Sequence, residues 1–174
     1  MFIILNQFTT KMKKKYSILL FSLFIFSCSN EHLATAIVKD NDEYSLNAKK
    51  LLKSYVENDF SLWEELLSDD CEVLFNNVVV DKKSMIEGLK QDHVLFKSLL
   101  TSDEYAHTNY FKNGQIWTNH WFTNTAAGNF TGEATSARVH TDLKWENGKV
   151  VKFQAYYDPT LQIKEATAMA QMDK

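Results

Sequence analysis

Residues 131–159, TGEATSARVHTDLKWENGKVVKFQAYYDP, constrain the fold more than any other stretch of the chain. Two long runs of alternating character flank Glu146-Asn147-Gly148, and Pro159, the only proline, stops the second run. Asn-Gly can close a two-residue loop with Glu146 opposite Lys149. The alternative is a three-residue loop with Gly148 left-handed in a bulge and Trp145 opposite Lys149. The choice matters, because a one-residue change of pairing moves a strand's whole side-chain set to the other face. The three-residue loop places Ala137, Val139, Thr141, Leu143 and Trp145 with Val151, Phe153, Ala155 and Tyr157. It leaves Arg138, His140, Asp142, Lys144, Lys152, Gln154, Tyr156 and Asp158 on the other face. The two-residue loop sets Arg138, Asp142 and Lys144 beside Phe153 and Tyr157, a poor core, so the bulged loop is expected.

A second hairpin precedes it. Tyr105 to Phe111 and Gln115 to Thr125 alternate around Lys112-Asn113-Gly114, the same x-Asn-Gly loop. One face collects Tyr105, His107, Asn109, Phe111, Trp117, Asn119 and Trp121; the other holds Ala106, Thr108, Tyr110, Ile116, Thr118, His120 and Phe122. The first set is aromatic with a few polar groups, which is what a small-ligand pocket needs. Tyr105, Asn109, Trp117, Asn119, Trp121 and Tyr157 are therefore the expected pocket residues, with His107 as a candidate acid or base. The same face also fits a core in which His107 and Asn119 satisfy each other across the strands.

Upstream, the apolar period is helical. Ala48, Leu51, Leu52, Tyr55 and Val56 share a face of a helix over 46–57. Ser61-x-x-Glu64 and Ser84-x-x-Glu87 are capping-box patterns that open helices at 61–67 and 84–99. Ile86, Leu89, His93 and Phe96 form the stripe of the latter, with His93 expected as a packed, hydrogen-bonded residue. Residues 72–75 read as a short strand, and Pro159 starts a C-terminal helix with Asp158 as its natural N-cap.

The first 27 residues read as a secretory signal: basic Met12-Lys13-Lys14-Lys15, an apolar run from Tyr16 to Phe26, then Ser27-Cys28. Met12 is the candidate initiator, since the eleven residues before it spoil a standard start. Ile25-Phe26-Ser27-Cys28 resembles a bacterial lipoprotein signal, which implies lipidation of Cys28 and a lipid-anchored place in the cell envelope, on its periplasmic side or at the cell surface. Residues 28–45 then read as a membrane tether and 46–174 as the domain. Removing 1–27 takes four lysines and no acids, so the 19 basic residues become 15 against 22 acids, a formal charge of −7. That balance excludes nucleic-acid binding through a basic face. Only Cys71 remains if Cys28 is acylated, so neither an intrachain disulfide nor a cysteine metal cluster is expected. Cys71 reads as a small buried residue.

The order of helices and strands gives an α+β fold. It resembles the nuclear transport factor 2-like (cystatin-like) fold. The run Trp145-x-x-Gly148-Lys149-Val150…Tyr156-Tyr157-Asp158 is similar to the ending of its SnoaL-like branch, as are Thr131-Gly132 and His140. The resemblance implies a cone-shaped, curled antiparallel sheet packed on N-terminal helices, with a pocket at the open end. It also implies Asp158 as acid and base, with His140 as its partner. Where ketosteroid isomerases hold a protonated aspartate, this chain has Thr141. No nucleophile elbow, phosphate loop or HExxH helix occurs, and the histidines at 32, 93, 107, 120 and 140 lack metal-ligand spacing. Neither a cofactor nor a metal is expected. The leading expectation is an envelope lipoprotein whose domain binds a small apolar or aromatic molecule. The alternatives are a cofactor-independent isomerase, dehydratase or cyclase, and a structural module dimerising through the sheet.

Overall fold

The hairpin that organises the chain closes differently from the expectation. A computed structural model describes residues 35–172; the signal segment, Cys28 and His32 lie outside them. Glu146 pairs with Lys149, so the loop has two residues, and both Asn147 (φ 51°) and Gly148 (φ 76°) are left-handed. Two positive φ values are what the tight hairpin turn compatible with strand twist demands. The bulge lies one step further in: Trp145 pairs with Val150 but Lys144 with Lys152, leaving Val151 as the extra residue. This bulge rescues the core that the two-residue loop alone would spoil. Leu143 still faces Phe153 and Thr141 faces Ala155, while Val150 rather than Val151 is the buried valine. The earlier hairpin has the expected three-residue loop. Phe111 N–H bonds Gln115 O at 2.9 Å, and Gly114 is left-handed at φ 85°.

Strands β1 (Ala36–Lys39), β2 (Leu67–Phe75), β3 (Val78–Val80), β4 (Phe96–Phe111), β5 (Ile116–Gly128), β6 (Ala134–Glu146) and β7 (Lys149–Tyr156) form one sheet, ordered β1-β4-β5-β6-β7-β2-β3. Neighbours are antiparallel except β2 and β7, which run parallel. Helices α1 (Glu43–Val56), α2 (Ser61–Leu66), α3 (Lys82–Leu95) and α4 (Thr160–Met172) complete the unit. Helix α3 touches both β4, near one end of the sheet order, and β2, near the other. A single helix can reach both only if the sheet curls around it. The protein is thus an α+β fold with a curled sheet wrapped on its helices.

Two helix starts move from the expected ones, because an aspartate caps earlier than the serine behind it. Asp42 caps α1 by accepting from Ser45 N at 2.9 Å, and Ser45 Oγ accepts from Asp42 N in return. Asp81 likewise caps α3 through Ser84 N. At α2, Ser61 bonds Asp59 instead of capping the helix itself. Carboxylates cap at least as well as hydroxyls and also favour the positive end of the helix dipole. The domain also begins earlier than residue 46, because Ala36–Lys39 pairs with β4 and α1 begins at Glu43. Helix α3 stops at Leu95, and residues 96–104, expected partly as helix, form the start of β4.

Asp42 also ties α1 to the sheet. Thr108 Oγ1 donates to Asp42 at 2.9 Å, Thr118 Oγ1 donates to Thr108, and Trp145 Nε1 donates to Thr118 at 2.9 Å. Each hydroxyl has one proton to give, so the chain of donors runs one way, from indole to carboxylate. At the other end of the sheet, the fully buried Glu165 of α4 accepts from Phe130 N at 2.7 Å and from Thr131 N at 3.0 Å. Burial would raise the Glu165 pKa, but these bonds and that from the Thr131 hydroxyl outweigh it and hold the carboxyl below its usual value. A Cβ on Gly128 would lie 2.0 Å from Glu165 Oε1, so a side chain here must push the Glu165 carboxylate off its bonds. Helix α4 is thereby fastened over the concave side of the sheet.

Candidate functional site

The concave face of the sheet and the four helices enclose a cavity of about 270 Å³. Its sheet wall comes from alternate residues of β5, β6 and β7, including Phe122, Val139, Leu143 and Phe153. Leu51, Leu52 and Tyr55 of α1, Leu89 of α3 and Leu161 of α4 close the helical side. Two polar groups of residues form part of this apolar lining.

The first sits between helices. Asp92 of α3 accepts from Tyr55 OH at 3.0 Å and from Gln162 Nε2 at 2.6 Å, while Tyr157 OH donates to Gln162 Oε1 at 3.1 Å. Burial raises the Asp92 carboxyl despite these bonds, and burial also raises the Tyr55 and Tyr157 hydroxyls. Asn76, at φ 51° in the β2–β3 turn, positions Tyr157 by bonding both its N–H and its carbonyl at 3.2 Å. Every member of this network is partnered, so it is a fixed wall that joins α1, α3 and α4.

The second lies on β5. His120, only 2% exposed, places Nε2 3.0 Å from Glu104 Oε1. Glu104 reaches it because β4 bulges there: Ser102 pairs with Thr123 and Tyr105 with Trp121, so Asp103 and Glu104 together oppose Phe122. Asp103 takes the left-handed conformation (φ 49°) that the bulge needs. Burial, helped by the positive charge of Lys49 and by His140, pushes the His120 pKa down to about 4. Burial raises that of Glu104. His120 is therefore a neutral imidazole at neutral pH. Two turns of the pleat along β5, Asn124 lines the same cavity with its Oδ1 buried and unbonded.

The residues expected from the sequence fall into two places that the sheet keeps apart. Tyr157 and Asp158 line the cavity. Tyr105, His107, Asn109, Trp117, Asn119 and Trp121 share one face, as their spacing requires, but it is the outer face and no part of the cavity wall. The correction follows from pairing: His120 and Phe122 lie opposite Thr141 and Val139, whose face is the core. The outer residues stack instead into a ladder. His107 and Trp121 centroids are 5.3 Å apart, Trp121 and His140 are 4.6 Å apart at 7°, and His140 and Tyr156 follow at 5.8 Å. Asn109 Nδ2 donates to Asn119 Oδ1, and Asn119 Nδ2 to Asp142, so Asn119 serves these neighbours rather than His107. His140 Nε2 lies 3.0 Å from Asp142 Oδ1 yet is not aligned as a hydrogen bond, and His107 Nδ1 is also buried without one.

Asp158 and His140 consequently do not form an acid–base pair. Asp158 is exposed at the cavity margin and accepts from Thr160 Oγ1 at 2.6 Å and Thr160 N at 3.0 Å. Those two bonds hold its carboxyl below the usual value, which suits the turn that leads into α4 and opposes a proton-donating role. His93 is packed as expected, with Nε2 2.7 Å from Tyr55 O, and Cys71 is buried with its thiol pushed up to about 11 by burial. Sequence reasoning missed Glu104, His120, Asn124 and Asp92. Asp92 could have been found, since Met85, Leu89, Asp92 and Phe96 fall at helical spacing on one face.

No family model and no curated protein matches the chain. Solved structures do. AclR from Streptomyces galilaeus, a candidate hydroxylase, aligns at TM-score 0.57 and 16% identity over 72% of this chain and 96% of its own. IdmH from Streptomyces antibioticus, a candidate polyketide cyclase, aligns at 0.56 and 10%, over 72% and 99%. A nuclear transport factor 2-like protein of unknown function from Burkholderia pseudomallei aligns at 0.53 and 12%, over 71% and 96%. With the curled sheet, the enclosing helices and the cavity between them, these likenesses establish that the chain has the nuclear transport factor 2-like fold shared by SnoaL-like polyketide cyclases and ketosteroid isomerase-like proteins.

Proposed function

We propose that the domain binds a small, uncharged, largely apolar or aromatic molecule in the cavity, and that Cys28 carries it on a lipid anchor in the bacterial cell envelope. The observation that carries the binding reading is the cavity itself, set inside the core and walled by apolar side chains from both layers. At about 270 Å³ it lies just below the roughly 300–1,000 Å³ of ordinary small-ligand sites. Its polar groups favour an uncharged guest. Asp92 is raised by burial and accepts a bond on each oxygen, His120 is neutral, and neither lysine nor arginine lines the wall. Filling the space from the sheet side tests this. Ala137→Phe should leave the far-ultraviolet circular dichroism unchanged and weaken binding of a bicyclic aromatic probe at least tenfold. Undiminished binding would place the ligand elsewhere.

The anchor rests on the order of basic residues, apolar run and Ser27-Cys28. Metabolic labelling with a tagged fatty acid should mark the wild type and spare Cys28→Ser; label retained in the variant would remove the anchor from this account. A second reading, a cofactor-independent isomerase, dehydratase or cyclase, is favoured by one feature, the cavity-lining His120 paired with the exposed Glu104 behind it. In that reading His120 and Glu104, rather than Asp158 and His140, would move the proton.

A further inference from the structure

Of the residues that line the cavity, three are exposed: Ser84 and Gly88 of α3, and Asp158 ahead of α4. The others are buried or half-buried, so the cavity meets solvent where these three stand. One turn beyond Gly88 on the same face of α3 the way is barred, because Asp92 is bonded to Tyr55 of α1 and Gln162 of α4.

Gly88 is the unexpected member of the three. It sits in the middle of α3, where glycine weakens a helix relative to alanine. Neither of the usual reasons for such a glycine applies. Its backbone is helical rather than left-handed, and nothing outside its own helix lies within 4 Å of where a Cβ would stand. Gly128 is the opposite case, since the Glu165 carboxylate there fills the place of a side chain. The space beside Gly88 is left to the mouth of the cavity.

We infer that Gly88 is the threshold of the cavity, the point over which a guest passes between α3 and the Asp158 turn. This rests on the ligand-binding reading above and adds the route of entry. A helix without a Cβ at this point presents bare backbone, low enough for a flat ring to slide across. Ser84, one turn earlier on the same face, is also small and keeps the approach clear. A larger residue at 88 stands in the mouth without reaching the buried wall, so it hinders passage more than it changes the bound state. Gly88 thereby sets how fast and how bulky a guest can enter. Phe122, Val139 and Leu143 set how well it fits once inside.

Stopped-flow fluorescence of the full-length protein with 2-naphthol tests this, with circular dichroism as the check on each variant's fold. Gly88→Ala should raise the melting temperature by about 2–5 °C, since alanine favours the helix and meets no neighbour. Gly88→Trp should slow association and dissociation together, each by at least about tenfold, so that Kd moves by less than about threefold. Gly88→Leu should give the same pattern in smaller measure, and it carries the test if the tryptophan variant does not fold. Ala137→Phe, inside the cavity, should instead weaken Kd. Unchanged rates in the bulky variants overturn the inference and leave the pocket standing. So does a Kd weakened as much as in Ala137→Phe, which would make position 88 part of the wall. A lowered melting temperature in Gly88→Ala overturns it too, because the fold would then need glycine there. If 2-naphthol does not bind the wild type, the pocket reading fails and the inference falls with it.

Discussion

Asp158 shows how one residue type can serve two roles that only its neighbours distinguish. Its position before Pro159 made it a cap by sequence, and the SnoaL-like resemblance made it an acid and base. The two bonds from Thr160, the exposed carboxyl and the lowered pKa belong to a turn one residue before the helix, whose first carbonyl acceptor is Pro159 O rather than Asp158 O. Asp158→Asn should therefore keep the melting temperature within a degree or two, because the asparagine amide oxygen can accept the same turn bonds from Thr160. It should also leave probe binding unchanged. Weakened binding at unchanged melting temperature would mean the carboxylate touches the guest. His120 is the contrasting case. Lone histidines on alternating strands are usually packed residues, and this one becomes a candidate only because it lines the cavity with Nε2 held by Glu104.

The elements were legible wherever periodicity alone decides them. The helical stripe of Ala48, Leu51, Leu52 and Tyr55, the two Asn-Gly hairpins and the helix after Pro159 all follow from spacing and turn chemistry. What the sequence leaves open is which face of a strand is concave. Alternation sorts Tyr105, His107 and Trp121 from Ala106, His120 and Phe122, but it does not say which set meets the helices. That answer lies in the register of β5 on β6, set across a loop at residues 129–133 that carries no alternating pattern. Once Thr141 is opposite His120 and Val139 opposite Phe122, the apolar face of β6 draws that face of β5 inward. Bulges are the second hidden quantity. Those at Glu104 and Val151 each insert one residue, and each decides which side chain turns in. The Glu104 bulge puts a carboxylate beside His120; no local signal in LLTSDEYAHT announces it.

At the scale of the whole molecule, the outer face of the sheet carries a row of stacked rings set among charged residues such as Arg138, Lys144 and Lys152. Tyr105 and Tyr156 are 50% and 43% exposed, and the stacked rings between them span β4, β5, β6 and β7. Because the rings lie against one another, their faces are already occupied and only their edges meet solvent. That arrangement disfavours stacking of a sugar and suits a flat, edge-on contact. Four strands of 8–16 residues, at about 4.8 Å spacing and about 3.3 Å per residue, give roughly 800 Å² of plan area. This approaches the roughly 800 Å² per partner that a specific interface buries. We propose that a second copy of the chain covers it, face to face, so that the ladder of one molecule meets that of the other across a two-fold axis. Charge placed on the ladder should then break the pair. Tyr105→Lys with Tyr156→Lys sets four like charges across the axis of a dimer, yet both side chains are exposed, so the monomer should keep its fold. Sedimentation velocity should show the wild type as a dimer at micromolar concentration and the double variant as a monomer with an unaltered circular dichroism spectrum. A wild type that sediments as a monomer would leave the face to a different partner. The variant should still bind the bicyclic probe, because the cavity opens on the opposite side of the sheet.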